Sequence, residues 1–192
     1  MEKVMVVPAD VINTVIKDHG LIRENTADIM KIIKENYYFM PRDIAENNRD
    51  VRQIIPYVVV VCQDNVFTMR RLKKQFEKRL HGKVSIGVGG HINDIEPSDK
   101  NDVIMTNLLR ELNEEINIKK ISNLEFIGII NDLSTEVSWY HIGLLHILNT
   151  DMNVTVAEQE KMEGKWIERK ALSDIKNDME TWSQIALEYL IR

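Results

Sequence analysis

Gly89-Gly90-His91-Ile92-Asn93-Asp94-Ile95-Glu96, a polar connection, and then Arg110-Glu111-Leu112-Asn113-Glu114-Glu115-Ile116-Asn117-Ile118 make up the stretch that decides the fold of this chain. The first half reads as a strand end turning through two glycines into a loop, and the second as a helix. Glu111, Glu114 and Glu115 stand at i, i+3 and i+4, so three carboxylates converge within one turn, while Leu108, Leu109, Leu112 and Ile116 recur at core-facing spacing. Like charges at this spacing cost an isolated helix about 0.2–0.5 kcal/mol per pair. A hard divalent cation would offset that repulsion, because it takes oxygen ligands and favours the ionised carboxylates. For the hexapeptide Arg110–Glu115 taken alone, a solvated acidic face is the better account.

Outward from this centre, Val84 to Val88 is a strand that delivers Gly89 and Gly90. Upstream, Ile54 to Cys62 is a nearly continuous apolar run, which predicts a strand buried on both faces, with Cys62 packed as a small hydrophobe rather than serving as a nucleophile. A turn at Gln63-Asp64-Asn65 leads to the partner strand Val66 to Met69. The basic stretch from Arg70 to Arg79 reads as a solvated face or loop. Downstream, Leu124–Ile130 and Val137–Leu148 read as strands. His141 and His146 fall on opposite faces of the second and lack the spacing of metal ligands, and His91 beside the glycines reads as structural. Val154–Val156 is a further strand, and the acidic loop beyond it holds Glu160 and Glu163 before Trp166. A tail helix from about Ser173 carries Ile175, Met179, Trp182, Ala186, Leu187 and Leu190 as its buried stripe.

Residues 1–50 form a small α/β extension, predicted as a strand Val4–Val7 stopped by Pro8, a helix that Asp10 caps, a second helix from Asn25 or Thr26 to about Glu35, and an aromatic cluster at Tyr37-Tyr38-Phe39. Residues 51–192 are then the domain that carries the acidic helix. The 192 residues are 44% hydrophobic, enough for a real core, and a net charge of −5 with interleaved signs gives no broad surface for nucleic acid. One cysteine rules out an internal disulfide framework. No apolar run is of membrane-spanning length and the N-terminus shows no export segment, so the expected location is the cytoplasm.

At Gly90–Ile118 the chain resembles the Nudix hydrolases, whose signature is Gly, five residues, Glu, seven residues, then Arg-Glu-aliphatic-x-Glu-Glu-x-Gly-aliphatic. Gly90 and Glu96 keep the first spacing, and Arg110 to Ile116 match position by position. Thirteen residues, Pro97 to Leu109, separate Glu96 from Arg110, six more than in the signature, and the excess falls in the polar run Pro97–Asp102. A longer surface loop adds little entropy cost and leaves the helix register alone. Asn117 replaces the signature glycine, and a left-handed helix end there would accept Asn.

The resemblance implies a Nudix-type α/β/α sandwich with a mixed β-sheet, and metal-assisted hydrolysis of a diphosphate linkage in a nucleoside diphosphate joined to a group X. In that reading Glu111, Glu114 and Glu115 hold Mg²⁺ or Mn²⁺, and the backbone at Gly90 approaches the metal. Arg110 orients a glutamate of its own helix, most simply Glu114. One of the helix carboxylates or Glu160, with Glu163 as second candidate, takes the proton from water. Gly89 shapes the loop, Glu96 braces the loop or the helix start, and Arg71 and Arg79 are candidates for phosphate contact, because members of the family commonly hold a substrate at the corresponding basic stretch. A homodimer is common for the fold. Two other readings stay open: a non-catalytic Nudix-fold nucleotide sensor, and isopentenyl diphosphate isomerase, which Cys62 fits poorly. Tyr37, Tyr38, Trp139 and Trp182 are aromatic enough to stack a base but read better as core or interface.

Overall fold

The computed structural model describes residues 2–72, 82–97 and 102–191. It is an α/β protein whose main sheet is ordered β12 (Met162–Glu168), β5 (Asn65–Arg71), β4 (Val51–Cys62), β10 (His141–Asn149), β9 (Asn123–Asn131) and β2 (Gly20–Ile22). By contacts the chain divides into two compact units, one made of Met1–Pro56, Gly90–Leu109 and Ile127–Leu145, the other of Tyr57–Gly89, Arg110–Phe126 and His146–Arg192. The central strand β4 (Val51–Cys62) is buried from Val51 to Val61, as its apolar run predicts, and Cys62 lies half-buried at its end.

In the first unit, β1 (Lys3–Pro8) pairs antiparallel with β3 (Tyr38–Pro41) on one side and with the start of β4 on the other, through Val6↔Gln53 and Val7↔Arg52. Val4, Val6, Ala45 and Val51 form a small core there, against which Met40 packs. Helix α1 is only Ala9–Ile12, shorter than predicted, and Asp10 lies in its first turn instead of capping it. The α2 helix spans Thr26–Asn36 and α3 spans Arg42–Ala45. Strand β2 (Gly20–Ile22) pairs with β9 (Asn123–Asn131) through Leu21↔Ile130. The strand expected from Val137 begins only at His141: Glu136–Trp139 is one turn of helix, α5, because Thr135 Oγ1 accepts from Ser138 N at 3.0 Å and caps it. β10 then runs His141–Asn149.

Arg52 and Gln53 precede the apolar run Ile54–Cys62 that predicts the strand, yet both lie in β4 and are fully buried. The Arg52 guanidinium donates to Asn131 Oδ1 and to the His141 carbonyl, both at 2.9 Å, and lies over the Trp139 ring at 5.3 Å. Burial among these neutral acceptors lowers its pKa to about 10.

In the second unit, β4 turns at Gln63, whose φ of 52° is left-handed, into β5 (Asn65–Arg71). β5 pairs along its whole length with β12 (Met162–Glu168), and Phe67 and Trp166 pack edge to face at 5.3 Å. The predicted strand Val84–Val88 is broken at Ile86 into β6 (Val84–Ser85) and β7 (Gly87–Gly89). β4 and β10 run parallel, with Gln53 N donating to the Tyr140 carbonyl at 2.7 Å at one end and Thr150 N to the Val61 carbonyl at 3.0 Å at the other, so the sheet is mixed. At the tail, Arg169–Asp178 is a 3₁₀ stretch and helix α6 begins only at Thr181, running to Leu190; Ala186 and Leu187 are fully buried. No helix among the described residues is long and apolar enough to cross a membrane.

Helix α4 (Val103–Glu115) is capped by Asp102, whose Oδ1 accepts from Met105 N at 3.0 Å and whose Oδ2 takes a hydrogen bond from Lys34 Nζ at 2.7 Å. Burial pushes this carboxyl up, but the Lys34 and Met105 hydrogen bonds outweigh it and hold the pKa below the usual value. Its stabilising effect is therefore present above about pH 4 and is lost as pH falls through the folded value. Asp102→Ala is expected to cost about 1 kcal/mol in denaturant unfolding at neutral pH. Equal stability of variant and parent there would count against the cap.

Candidate active site

The glutamates stand where the sequence puts them, on the last two turns of α4, with Leu108, Leu112 and Ile116 buried along the adjoining stripe. The helix runs directly into β8 (Ile116–Ile118), which pairs with β11 (Val154–Val156) through Asn117↔Thr155. Asn117 is accordingly extended, not left-handed, and its Nδ2 donates to Thr155 Oγ1 and the Val156 carbonyl, each at 3.3 Å. The strand pairing removes the need for a residue of positive φ. The Glu115 carbonyl accepts from Ala157 N at 2.9 Å, which ties the helix end to the start of the acidic loop.

Arg110 lies between two of the carboxylates. Its Nη1 donates to Glu114 Oε1 and Oε2 at 3.0 and 2.9 Å, and its Nη2 to Glu111 Oε1 at 2.7 Å. The first pair is the i,i+4 contact expected from the spacing; the second, to the adjacent residue, is not visible in a helical projection. Glu111 is the more enclosed, its side chain 15% exposed against 56% for Glu114. Burial lifts the Glu111 carboxyl above the usual range, the charge and hydrogen bond of Arg110 oppose the rise, and Glu114 and Glu115 add to it.

The remaining candidates are spread more widely. Gly89 ends β7, paired with Tyr57, and Gly90 opens the loop that follows. Glu96 is exposed in that loop. Glu160 sits in the exposed turn before β12, while Glu163 lies within β12, paired with Arg70. Arg71 pairs through its backbone with Met162, but its side chain and the whole of Arg79 lie outside the described residues. His91 packs edge to face on His141, with ring centroids 6.1 Å apart, and burial brings its pKa down to about 4, as befits a structural residue. Among the described residues no group of three His, Cys, Asp or Glu side chains is gathered closely enough to hold a metal ion. Arg110 instead neutralises two of the three glutamates. The donor set still suits a hard divalent cation, because all its side-chain donors are carboxylate oxygens.

Two groups escaped the sequence reading. Asn107, one turn before Glu111, is fully buried and hydrogen-bonded to the loop after Gly90. Its signal was a polar residue beside the apolar stripe of the helix. Tyr57 and Ser183 form the second: Tyr57 Oη lies 2.8 Å from Ser183 Oγ, which accepts from Ile86 N at 3.0 Å and holds the break between β6 and β7. Nothing local to either residue marks it.

No family profile matches the chain. Protein YmaB of Bacillus subtilis strain 168 is 40% identical over 171 residues, covering 85% of this chain and 83% of that protein. Among solved structures, Tm1382, a presumptive Nudix hydrolase, is 30% identical with a TM-score of 0.86, covering 99% of this chain and 98% of that one. DR0079 of Deinococcus radiodurans shares the fold at 16% identity and a TM-score of 0.56, over 91% of this chain and 97% of that one. The Nudix domain of Shewanella oneidensis NrtR, solved with ADP ribose, shares it at 14% identity and a TM-score of 0.52, over 80% of this chain and 97% of that one.

Proposed function

The chain belongs to the Nudix hydrolase family, and from that premise we propose that it hydrolyses a diphosphate linkage in a nucleoside-diphosphate-X type substrate. The observation that carries this reading is the Arg110–Glu111–Glu114 constellation on α4, intact in residue type and held in one register. Glu111, Glu114 and Glu115 would hold Mg²⁺ or Mn²⁺, which when bound neutralises phosphate oxygens and makes a water molecule more acidic. Arg110 fixes the rotamers of Glu111 and Glu114, so that the carboxylates need no reordering when substrate arrives. Glu114, the more exposed of the two, or Glu160 in the exposed turn before β12, then accepts the proton of the attacking water. Arg71 and Arg79 are proposed to contact the phosphates, since a guanidinium matches their geometry.

Turnover of nucleotide sugars, ADP ribose, dinucleotides, nucleoside triphosphates and non-nucleotide diphosphates, each with Mg²⁺ or Mn²⁺, tests the reading. The expected result is cleavage of one class that chelator abolishes. Binding of nucleotide without cleavage across the panel would overturn it in favour of the sensor reading, to which the pairing of Arg110 with two glutamates is also suited. The isomerase reading gains nothing from Cys62, which lies at the turn end of β4.

A further inference from the structure

We propose that the N-terminal segment of residues 1–50 is a positioning device for the active-site helix, acting through Asn107. This rests on the hydrolase reading above for its catalytic consequence, though its structural part does not. The extension grips the signature loop at successive points. Past the reach of β4, β1 pairs instead with the loop: Met5 N donates to the Ile92 carbonyl at 2.8 Å, and Val4 bridges Asn93 in antiparallel fashion. Ile92 is fully buried, and Lys3 Nζ stands 3.7 Å from Asp94 Oδ2. At the far end of the connection, Lys34 on α2 holds Asp102, the cap of α4.

Asn107 transmits this hold to the helix. Its Oδ1 accepts from Asn93 N at 2.9 Å while its Nδ2 donates to the Asn93 carbonyl at 3.1 Å, so the side-chain amide pairs with one residue of the loop as a neighbouring strand would. The same Nδ2 donates to the Val103 carbonyl at 2.9 Å within α4. Asn93 is thus clasped between Val4 of the extension and Asn107 of the helix. Glu111 follows Asn107 by four residues and Glu114 by seven, on the same stripe of the helix. Catalytic groups need placement to within about 0.5 Å, and the clasp on Asn93 fixes α4 one turn before Glu111. The structure joins the extension to the signature loop at Ile92–Asn93 and to the lengthened connection at Asp102.

The test is Asn107→Ala in the full-length protein, with Ile33→Val, a buried change in α2, as a control for general destabilisation. Three quantities are read: kcat and KM separately, Mn²⁺ affinity by electron paramagnetic resonance, and amide exchange over residues 110–115. Asn107→Ala is expected to lower kcat about 10- to 100-fold with KM nearly unchanged, to weaken Mn²⁺ binding, and to speed exchange at residues 110–115. Ile33→Val is expected to leave all three near the parent. A folded Asn107→Ala protein with parental kcat, Mn²⁺ affinity and exchange would overturn the proposal. If the parent neither binds Mn²⁺ nor turns over, the hydrolase reading fails, and exchange alone judges the brace: faster exchange in Asn107→Ala upholds it, unchanged exchange ends it. Should Asn107→Ala not fold, the double surface variant Lys3→Ala/Lys34→Ala carries the same readouts, with shifts in the same direction expected and unchanged values overturning.

Discussion

Glu114→Gln is expected to reduce hydrolysis by on the order of 10²-fold or more while leaving the protein folded. The substitution keeps the shape of the side chain and removes only its charge. Glu114 is largely exposed, so the loss of its ion pair with Arg110 at 2.9 Å should change stability by less than about 1 kcal/mol. Arg110 retains Glu111 at 2.7 Å, which keeps the more enclosed carboxylate in place. A drop in rate with an unaltered melting temperature therefore isolates the chemical role of Glu114 from any scaffolding role. Full turnover by the folded variant would remove Glu114 from the mechanism and leave Glu160 as the leading candidate for the base.

The largest stability effect is expected at Gly87. A Cβ there would stand 2.3 Å from Tyr57 Cζ and 2.4 Å from its Cε1, well inside contact distance. The ring has little freedom to retreat, because its hydroxyl lies 2.8 Å from Ser183 Oγ and its edge meets Trp182 with centroids 5.6 Å apart. Gly87→Ala is accordingly expected to destabilise by roughly 3 kcal/mol, which for a chain of this size lowers the melting temperature by about 6–12 °C. In a Tyr57→Ala background the same change should cost much less, since the clashing ring is gone. Equal losses in both backgrounds would show that the strain arises elsewhere. Because Gly87 and Gly89 belong to one short strand, this packing also bears on how the glycine turn is presented.

Much of this molecule follows from local pattern. The apolar run of β4, the hairpin at Gln63-Asp64-Asn65, the acidic face and buried stripe of α4, and the spacing of Gly90, Glu96 and Arg110 are all periodic or turn signals carried by neighbouring residues. They suffice for the family and the α/β class. Where the reading departed from the structure, a distant partner decided. Arg52 enters a buried strand because Asn131 and the His141 carbonyl, far along the chain, receive the guanidinium. Asn117 stays extended because β11 pairs with it, and the tail stays in a 3₁₀ form to Asp178 before its helix starts. Asn107 looked like a polar residue next to an apolar stripe, and only the fold shows it clasping Asn93. Local periodicity sets which residues turn toward a core; which buried polar atoms find partners depends on contacts between segments remote in sequence, and those exist only once the chain has folded.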